Sequence, residues 1–298
     1  MTEISVRDLH KAYGGTPILE NVSVDMPDHE FCVVLGPSGA GKSTFLRILL
    51  SQETPTRGEV LIDGQPIDPE PQPDRGVVFQ RYSVFPHKTV LSNVMMGPQL
   101  QASPVLGRLF GSKRDHLKER AIKLLEEVGL GDATAKYPTQ LSGGMQQRLA
   151  IAQALIMEPK VLLLDEPFGA LDQSTKKAMH RLILDLWARN KMTIVMVTHD
   201  IQEAFTLGTR VLMIDKKRQD PQAPEAYGST ITEDICLDPA KKPPVEALGG
   251  GDDSESMNAI FQHWKEKAGD AVVGPDELPP PPLTPKSNVT PIRPAANG

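Results

Sequence analysis

Short apolar runs of strand length alternate along this chain with segments whose apolar residues recur at helical spacing. The runs stand at residues 31–35, 77–79, 161–164, 193–197 and 211–214. Several are too uniformly apolar for strands with one wet face and read as strands buried on both sides of a parallel sheet. Between them, Leu117, Ala121, Leu124 and Val128 repeat at helical spacing, as do Met179, Leu182, Ile183 and Leu186. Strands alternating with helices predict an α/β domain with a mainly parallel sheet. Ahead of Phe31, residues 4–27 alternate like a β structure and are broken at Gly14-Gly15 and Pro17, which predicts a small antiparallel sheet. From Val90 to about Met157 there is no strand signal, and the stretch reads as a helical subdomain inserted into the core.

Composition sets the limits of that domain. Of 27 prolines, 14 fall in residues 1–215 and 13 in the last 83, so the folded unit is expected to end near Asp238. In the tail, Met257, Ile260, Phe261 and Trp264 have helical spacing within residues 256–267. That stretch is either a docked amphipathic helix or a nascent one, and the prolines beyond it favour extended chain. A net charge of −6 lacks the basic excess of a nucleic-acid binder. Two cysteines, Cys32 and Cys236, make no disulfide framework and suit a reducing compartment. The N-terminus lacks the pattern of a signal peptide, and the apolar runs fall far short of the roughly 18 residues a spanning helix needs. Membrane association, if any, must come through a partner.

The chemistry begins at Gly36-Pro37-Ser38-Gly39-Ala40-Gly41-Lys42-Ser43-Thr44, a G-x-x-x-x-G-K-S pattern directly after a strand run and ahead of a helical stretch. There the glycines let backbone N–H groups turn toward phosphate oxygens and the helix start adds positive dipole. Lys42 reaches the β and γ phosphates, and Ser43 ligates Mg²⁺. A second apolar strand ends in Asp165-Glu166. Alone, this pair reads as a solvated strand end. Downstream of a phosphate loop it reads as a site where Asp165 holds Mg²⁺ through water and Glu166 polarises the attacking water.

The segment Leu141-Ser142-Gly143-Gly144-Met145-Gln146-Gln147 is the most specific in the chain. Ser142 can cap a helix running to Met157, and the glycines beside it leave bare N–H groups at a dipole-positive end. A capped loop explains the glycines but not a second phosphate-binding end. One nucleotide cannot use both ends within one chain, so the second is expected to serve a neighbouring molecule.

Taken in order, the phosphate loop, Gln80, LSGGMQQRLAIAQAL, LLLDEPFGALD and a strand ending Val197-Thr198-His199-Asp200 resemble the ATP-binding subunits of ABC transporters. The resemblance covers about residues 2–215, and within the family residues 79–93 and 165–172 look most like the nitrate, sulfonate and taurine importer group. It implies a P-loop fold, binding of ATP and Mg²⁺, and ATP hydrolysis. It places Tyr13 on the adenine, Gln80 at Mg²⁺ and as a sensor of the membrane subunit, and Asp172 across a dimer interface. It places His199 at the γ-phosphate and Gln146 among the nucleotide-binding residues. It also implies a homodimer on integral permease subunits at the cytoplasmic face of the membrane, with a solute-binding protein reached indirectly. A soluble ABC ATPase of repair or translation is the alternative, although the chain has neither a coiled-coil insertion nor a second cassette. Gln153 and Thr209 stand where the family usually has Arg and Asp, and residues 100–114 are longer than the family pattern. Residues 206–232 resemble ATPases of urea-carboxylase-type clusters, which points toward a small nitrogenous solute such as urea, an amide or guanidine.

Overall fold

The computed structural model describes residues 2–80, 83–103, 107, 109–218, 222–223, 226–237 and 272–273. The N-terminal alternation becomes a hairpin, β1 (Ile4–Tyr13) with β2 (Thr16–Met26), closed at Gly14-Gly15, both with positive φ. Two later strands join it, β4 (Arg57–Ile62) and β5 (Gln65–Pro66), giving the order β2-β1-β4-β5. The sequence pattern did not include these two, because 57–66 lacks a strong alternation.

The predicted parallel strands are β3 (Phe31–Leu35), β6 (Arg75–Val78), β7 (Val161–Asp165), β8 (Thr193–Thr198) and β9 (Arg210–Asp215), in the order β9-β3-β8-β7-β6. An antiparallel strand, β10 (Thr230–Leu237), extends the sheet beyond β9. Residues Val272–Val273, where the sequence placed no strand, form β11 against β10. The expected helix over 256–267 lies outside the described residues.

Both faces of the parallel sheet are covered, as its apolar strands require. With side chains alternating along each strand, Phe31, Val33, Leu35, Leu162, Leu164, Ile194 and Met196 join the core formed with the helices. Their neighbours Cys32, Val34, Val161, Leu163, Val195 and Val197 pack instead with Phe45, Leu46, Ile48 and Leu49 of α1 (Lys42–Leu49) and with the antiparallel sheet. The helix α1 therefore lies between two sheets.

The inserted region is helical among its described residues: α2 (Val90–Ala102), α3 (Gly111–Glu127), two short 3₁₀ turns and α4 (Gly143–Leu155). Leu117, Ala121 and Leu124 face the core as their spacing predicts. After β7, α5 (Gln173–Asn190) buries Met179, Ile183 and Leu186, and α6 (Ile201–Leu207) returns the chain to β9. The two residues that depart from the family pattern are both satisfied. Thr209 exchanges side-chain hydrogen bonds with the Phe31 backbone at 3.0 and 3.3 Å, and the Gln153 amide reaches Asn93 Oδ1 at 3.3 Å.

Where β3 and β9 begin, at the opposite end of the sheet from the phosphate loop, Arg210 and Glu30 are buried in a charge cluster. Arg210 grips Asp234 with two bonds of 2.6 and 2.7 Å and approaches Glu30 Oε2 at 3.5 Å. Burial pushes the Glu30 carboxyl up to about 7 despite the Arg210 charge. An acid whose folded value exceeds its ordinary 4.5 loses folded-state stability as pH rises through the interval between the two. We expect Glu30→Gln, which cannot ionise, to unfold with a free energy on the order of 2–3 kcal/mol above the native chain at pH 8. At about pH 4, below the ordinary value, the two should nearly coincide, and chemical denaturation at both pH values measures the difference.

Candidate functional site

The chemistry-bearing residues lie at or just beyond the C-terminal ends of β3, β6, β7 and β8, where open α/β sheets place their ligands. The phosphate loop leaves β3 at Gly36. A Cβ there would stand 2.2 Å from the carbonyl oxygen of Ile214 in β9, so only glycine lets the loop start this close to the sheet. Gly39 and Gly41 take φ of 81° and 83°, the left-handed region that other residues reach only with strain. The turn closes when Ala40 N donates to Pro37 O at 3.2 Å, leaving Ser38 and Gly39 exposed at the tip. The helix α1 then begins at Lys42.

Lys42 is only 6 % exposed, and its ammonium donates to Gly36 O at 2.7 Å and Pro37 O at 2.9 Å. Burial lowers its pKa, against the pull of Glu166 and Asp165. Ser43 Oγ donates to Asp165 Oδ1 at 3.1 Å, which joins the loop to the end of β7. Burial raises the Asp165 carboxyl, and the Ser43 bond opposes that shift. This hydroxyl and carboxylate form the hard-oxygen pair that the sequence assigned to Mg²⁺.

Glu166 turns back on itself with φ of 45°, an uncommon angle for a residue with a side chain, and its N–H donates to Val197 O at 2.9 Å. Its Oε2 lies 3.4 Å from both Gln80 Nε2 and His199 Nδ1. Glu166, expected to polarise water, His199, expected at the γ-phosphate, and Gln80, expected at Mg²⁺, come from three strand ends and meet at one oxygen. Lys42, Ser43, Asp165, Glu166, Gln80 and His199 therefore form one connected cluster.

The remaining predicted residues sit around it. Tyr13 ends β1 with its ring 44 % exposed, its hydroxyl bonded to Glu53 and the Lys11 ammonium 4.9 Å from the ring centroid. Burial and then the Glu53 bond raise its phenol, while the buried Thr44 hydroxyl opposes them. Ser142 caps α4 as predicted, accepting from Met145 N at 3.4 Å, and both Ser142 and Gly143 are exposed. Gln146 is spent on its own chain, donating to the carbonyl oxygens of Pro138 and Leu141 at 3.0 and 3.3 Å. Among the described residues no hydrogen bond or ion pair joins Ser142, Gly143 or Gly144 to the phosphate loop.

Asp172 caps α5, accepting from the N–H and hydroxyl groups of Ser174 and Thr175, bonds that hold its carboxyl well below the usual range. A Cβ on Gly144 would meet Thr175 Cγ2 at 2.5 Å, so the starts of α4 and α5 are packed together. Sequence reasoning missed that contact, and it also missed Asn93. This residue is 1 % exposed and holds Phe85, Lys88 and Thr89 by their backbones, fixing the loop that presents Phe85. An asparagine among the apolar residues of α2 was the available signal.

A strand-loop-helix phosphate cradle with an acidic strand end beside it defines the class of P-loop nucleoside triphosphatases. Residues 19–169 match the ABC transporter family. The nitrate import ATP-binding protein NrtD of Synechocystis sp. is 41 % identical over 218 residues, 72 % of this chain and 78 % of that one. The spermidine/putrescine import ATP-binding protein PotA of Legionella pneumophila is 40 % identical over 214 residues, 71 % of this chain and 56 % of the relative. The dimeric structure of a post-hydrolysis state of the ATP-binding cassette MJ0796 bound to ADP and Pi aligns with a TM-score of 0.61 and 32 % identity. It covers 78 % of this chain and 98 % of the cassette. This chain belongs to the ABC transporter family and is one of its ATP-binding, ATP-hydrolysing subunits. Among the described residues no helix is long and apolar enough to cross a membrane.

The tight start of the phosphate loop gives a direct test. Gly36→Ala must push either the loop or β9 away from its place, and we expect ATP affinity to fall at least about tenfold, on the order of 1.4 kcal/mol. Calorimetric titration with ATP measures it, and native affinity would show that the loop tolerates the displacement.

Proposed function

We propose that this chain energises an importer of a small polar solute, as one of two identical ATP-binding subunits docked peripherally on integral permease subunits at the cytoplasmic face. The ATP-binding unit in this reading is residues 1–238, and a solute-binding protein is engaged only through the permease. Support comes from the import function in the names of its relatives and from the dimeric cassette it resembles. Those relatives import nitrate and spermidine/putrescine, an anion and polycations, so cassettes this similar serve solutes of opposite charge. Solute choice accordingly rests with the other subunits. The run at 206–232 favours urea, an amide or guanidine over a nitrate-, sulfonate- or taurine-like anion.

The observation that carries the hydrolytic reading is the meeting of Gln80, Glu166 and His199 at Glu166 Oε2 beside the Ser43–Asp165 pair. Glu166 orients or deprotonates the attacking water, His199 contacts the γ-phosphate, and Lys42 supplies the main cation. Tyr13 stacks on the adenine. Ser43, Asp165 and Gln80 would hold Mg²⁺, which when bound neutralises charge on the β and γ phosphates.

The exposed start of α4 completes the site in a second copy. The first N–H groups of a helix have no partner within it, so Ser142, Gly143 and Gly144 can receive the γ-phosphate held by Lys42 and Ser43 of the other chain. Asp172, capping the adjacent helix, crosses the same interface. ATP then joins two subunits and hydrolysis releases them.

Glu166→Gln should keep ATP binding while abolishing turnover, trapping a nucleotide-loaded dimer visible by light scattering. A strictly monomeric, ATP-loaded variant, alone and with the permease, would refute the composite site. Coupling to the permease is assigned to the loop that Asn93 holds, where Phe85 is 37 % exposed and Val84 leans on the core. Phe85→Asp should abolish solute uptake in vesicles and leave the ATP affinity of the isolated subunit unchanged. A comparable loss of affinity would mark the segment as structural.

A further inference from the structure

Behind the catalytic cluster lies a second set of charges that the hydrolytic reading leaves unused. Lys176, on the first turn of α5, places its ammonium 2.9 Å from Asp200 Oδ2 and 2.8 Å from Glu203 Oε1. Both carboxylates belong to the start of α6, immediately after His199. Glu203 is 2 % exposed, and its other oxygen accepts from Thr198 Oγ1 at 2.7 Å. The same Thr198 oxygen accepts from Asp200 N at 3.0 Å, and Asp200 Oδ1 accepts from Glu203 N at 3.2 Å. His199 is thus flanked on both sides by residues bound into one network. His180 also faces Glu203, with Nε2 3.8 Å from Oε1, and its ring packs edge-on against Phe168.

The other end of the network reaches the surface assigned to the second chain. Lys176 N donates to the carbonyl oxygen of Asp172 at 2.8 Å, and its neighbour Thr175 fills the space that a side chain on Gly144 would need. Burial would lower the Lys176 pKa, but the bonds to Glu203 and Asp200 overcome it and hold the ammonium above its ordinary value. Burial likewise opposes ionisation of Glu203, and the nearby His180 ring, the Lys176 ammonium and the Thr198 hydroxyl bond keep its carboxyl below the ordinary value. The ion pair is therefore fully formed at neutral pH. A charge cluster so withdrawn from water is a poor source of stability, because desolvation offsets the attraction; what it supplies is fixed direction.

We propose that Lys176 is a positioning residue for ATP hydrolysis, which fastens the loop carrying His199 to the start of α5. The γ-phosphate histidine and the surface presented to a second chain, Asp172 with the Gly144–Thr175 contact, then move as one body. This rests on the roles given above to His199 and the composite site.

The test compares steady-state hydrolysis with equilibrium ATP binding in the full chain. Lys176→Met should lower kcat at least about tenfold while the Kd for ATP stays within about twofold, and Lys176→Arg should restore most of the activity. Removing one partner of a buried pair also threatens folding, so Lys176→Met/Glu203→Gln is made in parallel. This variant removes both charges and keeps a partner for Thr198; it should melt near the native temperature and show the same loss of kcat. Native kcat in either folded variant overturns the proposal, and so does an equal loss of kcat and ATP affinity. His199→Ala separates the two levels. If it is inactive while the folded Lys176 variants turn over normally, this inference alone fails. If His199→Ala turns over normally, the reading of His199 fails and this inference with it.

Discussion

A helix of eight residues is too short to persist in water, yet the phosphate-binding geometry hangs on α1. Its stability is borrowed from two sheets. Phe45, Leu46, Ile48 and Leu49 are buried between the parallel sheet and the antiparallel one, each side chain contributing roughly 1.5–3 kcal/mol relative to exposure. Arg75 fixes the far end, donating from β6 to Leu49 O at 3.0 Å and to Ser51 Oγ at 2.8 Å. With both ends held, the loop between β3 and Lys42 has little freedom, and a side chain at Gly36 would run into β9. The N-terminal sheet therefore supports the phosphate loop through α1, and it also carries Tyr13 at the end of β1.

The electrostatics of the site follow from the same packing. Lys42 and Asp165 are charges drawn partly out of water, and burial shifts each toward its neutral form. Such groups gain most from an opposite charge arriving in the site, since attraction is stronger where the dielectric is low. A triphosphate with a divalent cation brings both signs. The uncommon backbone of Glu166 belongs here too, because its left-handed turn accompanies an oxygen that meets residues from two other strands.

The sequence by itself determined the class of fold, because strands buried on both faces must be apolar throughout and helices must carry apolar residues at their own period. It also determined the phosphate loop, the acidic strand end and the cap at Ser142, since these depend on local geometry that a few residue types can adopt. Strands β4 and β5 were not legible: β4 pairs with β1, Ile62 opposite Ile4 and Arg57 opposite His10, β5 covers only Gln65–Pro66, and the pattern of both is weak. Tertiary structure alone decided which residues meet. Gln80, Glu166 and His199 are far apart in the chain and converge because β6, β7 and β8 run parallel and side by side. The commitment of Gln146 to Pro138 and Leu141, the clamp at Asn93 and the tie from Lys176 to Asp200 and Glu203 were likewise set only by folding. The first two are local bonds to backbone groups just upstream, which no hydrophobic period marks, and the last joins the start of α5 to the start of α6.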